Sequence, residues 1–344
     1  MKTYRIGIIG TGAIAEKHAE AIQNVIGAEL VAVCSSTEIR AKRAESLLKV
    51  KAYWDLDEFL KHPDLDIVCV CTASGLHLEP AVRAAQAGKH LMVEKPIEVT
   101  LGKADQMIEI CKNQGVKLAV IFQNRFSSDF EKLKQAVNKG LFGDVLMGNA
   151  YVNWFRNEAY YSKSDWKGTL KVDGGGALIN QGIHTIDLLL DLMGEVDSVF
   201  GKVQTAFHQI EGEDLGSALV TFKSGAIGNV TSSTAFYPGL PERIEIFGTQ
   251  GSAVLEAGKI IHWKIKGEES MKLDSISANP SGAADPMAIS TVLHQRQWED
   301  FIKSLESNSQ FRVDGEESRK SLELIRGIYK SSKIKETVFF PFED

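Results

Sequence analysis

Tyr4-Arg5-Ile6-Gly7-Ile8-Ile9-Gly10-Thr11-Gly12-Ala13-Ile14-Ala15 is the stretch that decides how the chain folds. Its first six residues form an apolar run in which Ile6, Ile8 and Ile9 are β-branched, as in a buried central strand. A helical pattern runs from Ala13 to about Val25, and a second apolar run, Glu29–Cys34, completes a β-α-β unit. Between them lies the dinucleotide fingerprint G-x-G-x-x-G/A, in the strand–turn–helix setting that gives it meaning. Gly10 permits the tight turn, Gly12 lets the backbone approach a pyrophosphate, and Ala15 lets the helix pack close to the strand. Thr11, Ala13 and Ile14 fill the same turn, where unpaired N–H groups of the helix face an anion. The expected ligand is a nicotinamide dinucleotide.

With 344 residues, 44% hydrophobic and 24% charged, the chain is long enough for two domains with separate cores. A net charge of −6 argues against a general nucleic-acid binder, which needs a basic excess to neutralise phosphates. No apolar run approaches the roughly 20 residues that cross a bilayer. Met1-Lys2-Thr3-Tyr4 leads straight into a strand and leaves no room for a signal peptide, so a cytoplasmic protein is expected. Cys34, Cys69, Cys71 and Cys111 all fall on predicted strands or helices. Cys69-x-Cys71 is not a C-x-x-C motif and no second pair sits at zinc-ligand spacing, so buried thiols and no metal are expected.

The second strand ends Val33-Cys34-Ser35-Ser36-Thr37, with no carboxylate until Glu38. NAD-binding folds usually place Asp or Glu there for the ribose hydroxyls. Ser35 and Ser36 leave room for a 2′-phosphate within reach of Arg40 or Arg43, or else both arginines belong to the solvated face of the next helix. NAD and NADP both stay open. Asp66–Thr72 is another buried strand, which puts Thr72, Ala73 and Ser74 beside the cofactor crevice. His77 either lines that crevice or packs the following helix. The strand His90–Val93 ends in Glu94-Lys95-Pro96. There Lys95 projects over the nicotinamide as a cation that favours a developing alkoxide, or pairs with Glu94 at the rim.

After the sixth strand, Lys117–Phe122, the α/β alternation stops at Gln123-Asn124-Arg125, which divides the chain into domains 1–124 and 125–344. The second opens with an alternating strand, Leu146–Phe155, and a polar loop holding Tyr160, Tyr161, Trp166 and Lys167. Aromatics beside cations suit sugar faces, with Tyr161 a candidate substrate contact, or they pack the loop. Asp173-Gly174-Gly175-Gly176 precedes a helix expected over Ala177–Met193, on which Asn180, His184 and Asp187 share a face. Buried polar groups need partners, so this stripe is either an internal hydrogen-bond network or, behind a triple glycine that admits a ligand, a catalytic face. From Val196 to Lys266 strand follows strand. The expected fold is therefore an α/β Rossmann domain plus an α+β domain with a large, mostly antiparallel open sheet. One sheet face lies under helices and the other is a subunit interface, giving a homodimer or homotetramer. Glu268–Ser290 is too long and polar for a plain connection and reads as a substrate-side or partner loop. His294, on the first closing helix, is read as a surface residue in preference to one that reaches the site.

The fingerprint at Gly10, the strand end Glu94-Lys95-Pro96 and the series Gly174-Gly175-Gly176…Asn180…His184 together resemble the Gfo/Idh/MocA oxidoreductase family, over essentially the whole chain. The resemblance implies a nicotinamide-dependent dehydrogenase or reductase acting on a sugar, sugar nucleotide or cyclitol, with NAD(P)(H) and no metal. It also implies that Gln123 and Arg125 sit at a hinge near cofactor and substrate. There Arg125 pairs with a carboxylate or phosphate, or forms a structural ion pair. Many members have Trp-Arg contacting the dinucleotide where this chain has Trp166-Lys167; lysine keeps the charge but not the bidentate geometry. Many also have Asp at the position of Asn180. Asn orients a hydroxyl but accepts no proton, so acid–base work passes to His184 and Lys95. Sugar-nucleotide 3-dehydrogenases resembling this chain carry Asn there too. A dinucleotide-sensing regulator and an imine or ketone reductase are the alternatives.

Overall fold

The computed structural model describes residues 2–269 and 290–344, so the predicted loop at 268–290 falls almost wholly outside the described residues. The chain packs as two units, Met1–Gln123 with Ser290–Arg319, and Asn124–Ile289 with Lys320–Asp344.

In the first unit the alternation runs β1 (Tyr4–Ile9), α1 (Ala13–Gln23), β2 (Ala28–Cys34), α2 (Glu38–Leu48), β3 (Lys51–Tyr53) and α3 (Leu56–Leu60). It continues β4 (Ile67–Val70), α4 (Leu78–Gln86), β5 (His90–Val93), α5 (Leu101–Asn113) and β6 (Leu118–Val120). The six strands form one sheet in the order β3-β2-β1-β4-β5-β6, every pair parallel. This is the doubly wound order, and its direction of winding reverses between β1 and β4, where a crevice opens at the carboxyl ends. Ile6, Ile8 and all of β4 are buried because helices cover both faces of a parallel sheet. Gly10 has φ +96°, and a Cβ there would collide with the Cys71 carbonyl at the end of β4. The fingerprint turn is thus pressed onto the neighbouring strand. Thr37 caps α2, its Oγ1 accepting the Arg40 N–H at 3.3 Å.

The second unit contains α6 (Ser128–Asn138), β7 (Val145–Asn153), α7 (Glu158–Ser162), α8 (Ile183–Met193) and six further strands in succession. These are β8 (Val196–Gln204), β9 (Leu215–Phe222), β10 (Ile227–Ser233), β11 (Arg243–Gly248), β12 (Gly251–Glu256) and β13 (Lys259–Ile265). With β14 (Val338–Phe339) they make an eight-stranded sheet ordered β13-β12-β11-β7-β10-β9-β8-β14. Among the described strands of this sheet only β7 and β10 pair in parallel; the other neighbours are antiparallel. In β9 the inward Ala218, Val220 and Phe222 alternate with outward Ser217 and Leu219, as a half-covered sheet requires. Helix α8 lies directly on β7: a Cβ on Gly148 would sit 2.5 Å from Met193 Sδ. The opposite face leaves Phe200 (52% exposed), Leu219 (47%), Ile227 (44%) and Phe247 (39%) uncovered. Both parts of the fold class agree with the expectation.

The closing helices are α9 (Val292–Glu306) and α10 (Gly315–Ile334). A continuous second domain over 125–344 was expected, but residues 290–319 return to the first unit, where α9 packs on α1. An amphipathic stripe shows that a helix is covered, not by what. Trp298 and Phe301 are fully buried there. So is His294, 3% exposed, which corrects its reading as a surface residue. Burial pushes its imidazole down to about 4.

Two outcomes follow for stability. Gly10→Ala should destabilise the chain by about 1–3 kcal/mol through the left-handed backbone alone, and by more through the collision with Cys71, read as a lower urea midpoint; an unchanged midpoint would contradict the packed turn. His294 in the unfolded chain takes its proton near pH 6.5, whereas in the folded chain it does so only near 4. Its contribution is therefore complete above pH 6.5 and is lost as pH falls toward 4, roughly 3 kcal/mol in all. Urea midpoints of His294→Gln should change less over that window than those of the native chain; equal pH dependence rejects the assignment.

Candidate active site

At the crevice of the first unit, Gly12 caps α1 with no side-chain hydrogen bond, and nothing lies within 4 Å of where its Cβ would be. The first-turn N–H groups thus have an open approach, the cradle a pyrophosphate fits. Ala13 is exposed and Ile14 half-buried beside it. Thr11 Oγ1 and Ser35 Oγ are hydrogen-bonded at 2.9 Å, so Ser35 braces the fingerprint turn, whereas Ser36 and Arg40 stand exposed. On the neighbouring strand end Thr72 and Ala73 are half-buried and Ser74 is buried. His77, 1% exposed, lies between the Pro96 carbonyl (Nδ1, 2.9 Å) and the Thr72 carbonyl (Nε2, 3.2 Å). It is the packing alternative, and it ties the Thr72 turn to the Lys95–Pro96 turn, whose peptide is cis.

Lys95 is half-buried and Glu94 buried, and the side chain of Glu94 points back into the unit. Its Oε2 accepts the Lys95 N–H at 3.0 Å, and its Oε1 lies 2.9 Å from His18 Nε2. Trp298 Nε1–H donates to His18 Nδ1 at 3.1 Å. An indole only donates, so His18 Nδ1 is an acceptor and the ring proton sits on Nε2, directed at Glu94. Burial alone would push Glu94 up; the His18 hydrogen bond, with the charge of Lys95 adding, outweighs it and holds the carboxyl at about 2. His18, Glu94 and His294 bring possible ligand atoms within 4.8 Å of one another, as do His18, Cys69 and Cys71. Both His18 nitrogens have hydrogen-bond partners. The four cysteines are free and buried.

In the second unit the expected regular helix from Ala177 starts instead as a π-turn, Ala177–Gly182, before α8. Such turns are rare and cluster at functional sites. Gly174 (φ +84°) and Gly175 (φ +153°) lead into it, and a Cβ on Gly176 would strike the Glu213 backbone. Glu213, buried, accepts N–H bonds from Gly176 (2.9 Å) and Leu178 (2.8 Å) and the Tyr329 hydroxyl (2.9 Å). Burial pushes its carboxyl up to about 7 against the pull of those donors. Ser232 Oγ donates to the Ala177 carbonyl at 2.7 Å. This clamp sets where Asn180 and His184 begin. The sequence reading missed Glu213 and Tyr329; a glutamate opening an alternating strand signals nothing beyond a strand end.

Asn180 Nδ2 donates to Asp173 Oδ1 at 2.6 Å, while Asp173 Oδ2 accepts the Gly168 N–H at 2.8 Å. Aspartate at position 180 would set two carboxylates against each other, a physical reason for the amide. His184 is half-buried one π-turn further on. The predicted shared face breaks at Asp187, which is fully buried and bidentate with Arg125 (2.7 and 2.8 Å). Arg125, 2% exposed and 3.4 Å from Asp191 as well, realises the ion-pair alternative, not the substrate contact. Tyr161 is buried with its hydroxyl 2.8 Å from Thr234 Oγ1, which is packing. Tyr160 instead accepts from Gln181 Nε2 (2.9 Å), and Lys167 Nζ sits 3.9 Å over its ring. Trp166 is half-buried next to Lys167, and Gln123 is buried in the first unit.

Residues 4–122 match the family described as "Oxidoreductase family, NAD-binding Rossmann fold", and residues 130–254 match the "GFO/IDH/MocA C-terminal domain". Myo-inositol 2-dehydrogenase of Thermotoga maritima is 34% identical over 253 residues, spanning 72% of this chain and 73% of that protein. D-apiose dehydrogenase of Paraburkholderia graminis is 25% identical over 351 residues, 98% of this chain and 90% of that one. Among solved structures, the WlbA dehydrogenase from Bordetella pertussis in complex with NADH and UDP-GlcNAcA superposes with a TM-score of 0.88 at 30% identity, covering 99% of this chain and 100% of that one. The doubly wound sheet with its open fingerprint turn, the Lys95–Pro96 strand end and the clamped Asn180 turn agree with these matches along the chain's length, and the chain belongs to the Gfo/Idh/MocA family of oxidoreductases.

Proposed function

We propose that this chain oxidises a secondary alcohol of a sugar or sugar nucleotide, or reduces the matching ketone, using NAD(H). The observation that carries the reading is the Asn180 turn: a buried carboxylate, three glycines and a π-turn are spent on presenting one amide and one half-buried imidazole. NADH in the WlbA dehydrogenase complex and the bonding of Ser35 to Thr11, which withdraws one hydroxyl from a 2′-phosphate, support NAD(H) over NADP(H). UDP-GlcNAcA in the same complex supports a sugar nucleotide, and the inositol dehydrogenase relative supports a cyclitol second.

Gly10–Ile14, Thr72–Ser74 and the Glu94-Lys95 strand end border the dinucleotide in this reading. When bound, the nicotinamide supplies the hydride acceptor or donor. His184 takes the hydroxyl proton during oxidation and returns it during reduction. Lys95 favours negative charge developing on an oxygen, as a compact cation does. Asn180, its amide nitrogen held by Asp173, uses its carbonyl oxygen to orient a neighbouring hydroxyl. The outward Phe200, Leu219, Ile227 and Phe247 support pairing of this sheet face with a second copy, and the buried free thiols support a reducing, cytoplasmic setting.

Lys95→Ala and His184→Ala should keep the thermal shift given by NADH, larger than that given by NADPH, and lose roughly 10²–10⁴-fold in turnover on a panel of polyols, sugars and UDP-sugars. Native turnover in both variants rejects the roles; NADH binding with no turnover of any panel member by the native chain favours the sensor. In sedimentation at micromolar concentration the native chain should run as a dimer or tetramer and the Phe200→Glu/Leu219→Glu variant as a smaller species. A native monomer removes the pairing.

A further inference from the structure

The residues that act on Lys95 from behind the crevice have no part in the proposed chemistry, yet their bonding has a direction. Trp298 donates to His18 Nδ1 (3.1 Å), His18 Nε2–H donates to Glu94 Oε1 (2.9 Å), and Glu94 Oε2 accepts the Lys95 N–H (3.0 Å). His18 and Trp298 are each 0% exposed, so the links between them and to Glu94 lie away from bulk water. The chain of donors begins on α9, the helix that returns to this unit, and ends at the lysine.

We propose that His18 and Trp298 are positioning residues for Lys95: the indole N–H fixes His18 as a neutral Nε2–H donor, and His18 in turn fixes Glu94 as a bare carboxylate that sets the placement and charge of Lys95. The inference rests on the catalytic reading of Lys95. A second proton on His18 would set two N–H groups face to face at Trp298, which buried groups do not tolerate. With His18 neutral, the negative charge of Glu94 is not cancelled and acts on Lys95. The titratable groups around Glu94 are His18, Cys69, Cys71, His77, Lys95 and His294. Of these, His18 has one ring nitrogen on a fixed donor and the other on a carboxylate, whereas both nitrogens of His77 face carbonyl acceptors.

The test is acetylation of Lys95 by acetic anhydride in the full-length chain, followed across a pH series by peptide mass spectrometry. It needs no substrate. In Trp298→Phe, His18 is free to take a second proton and cancel Glu94. In His18→Leu, Glu94 loses its donor, and burial drives it toward the neutral acid. Both should lower the midpoint of Lys95 acetylation by about one pH unit. His18→Gln, whose amide still donates to Glu94 and accepts from Trp298, should restore the native midpoint. If His18→Leu does not fold, Trp298→Phe and His18→Gln decide alone. A native midpoint in Trp298→Phe, or a midpoint in His18→Gln as low as in Trp298→Phe, overturns the proposal. Failure of the Lys95 reading is separate: Lys95→Ala would then turn over normally, whatever the midpoints show.

Discussion

A carboxylate taken out of water must be surrounded by donors, and each unit builds an irregular turn around one such group. In the first unit it is Glu94, held by His18 and the Lys95 N–H; in the second it is Glu213, held by two backbone N–H groups and Tyr329. Both carboxylates are buried and turned to the protein's own donors. Each satisfies backbone groups that an irregular turn leaves without helix or strand partners, and so makes the irregular turn the stable one. The surrounding strands and helices supply the burial that gives these bonds their strength.

The π-turn shows the same economy of means. Gly174 and Gly175 take backbone angles that residues with side chains rarely adopt, and Gly176 leaves no room for a Cβ beside Glu213. The widened winding then sets Asn180 on Asp173 and leaves the amide oriented before any ligand arrives. Pre-oriented polar groups of this kind need little rearrangement when charge develops. Arg125 and Asp187, which share the polar character of that helix, are consumed by each other. An arginine and an aspartate near a site are not thereby part of it.

The return of residues 290–319 to the first unit changes what the Rossmann sheet contains. Without α9 the unit would lack Trp298 and His294, and the polar interior of α1 would face no partner there. His18 lies on the buried face of α1 among Ala15, Ala19 and Ile22, where a histidine is out of place unless another element meets it. That element is over 270 residues away in sequence.

Much of this protein is determined by local sequence. The fingerprint and the order of strands and helices were legible because period-two and period-3.6 patterns, turn glycines and β-branched runs act over a few residues. Lys95, Asn180 and His184 stand out as candidates because they sit beside such signals, at a strand end and behind a triple glycine. What only the tertiary structure decided is every choice between partners: His77 to Pro96, Arg125 to Asp187, Tyr161 to Thr234, Glu213 to the π-turn, His294 inward. The spacing along the chain states that a polar group will be buried. Which donor meets it depends on elements tens to hundreds of residues away, brought together only when the sheets are packed.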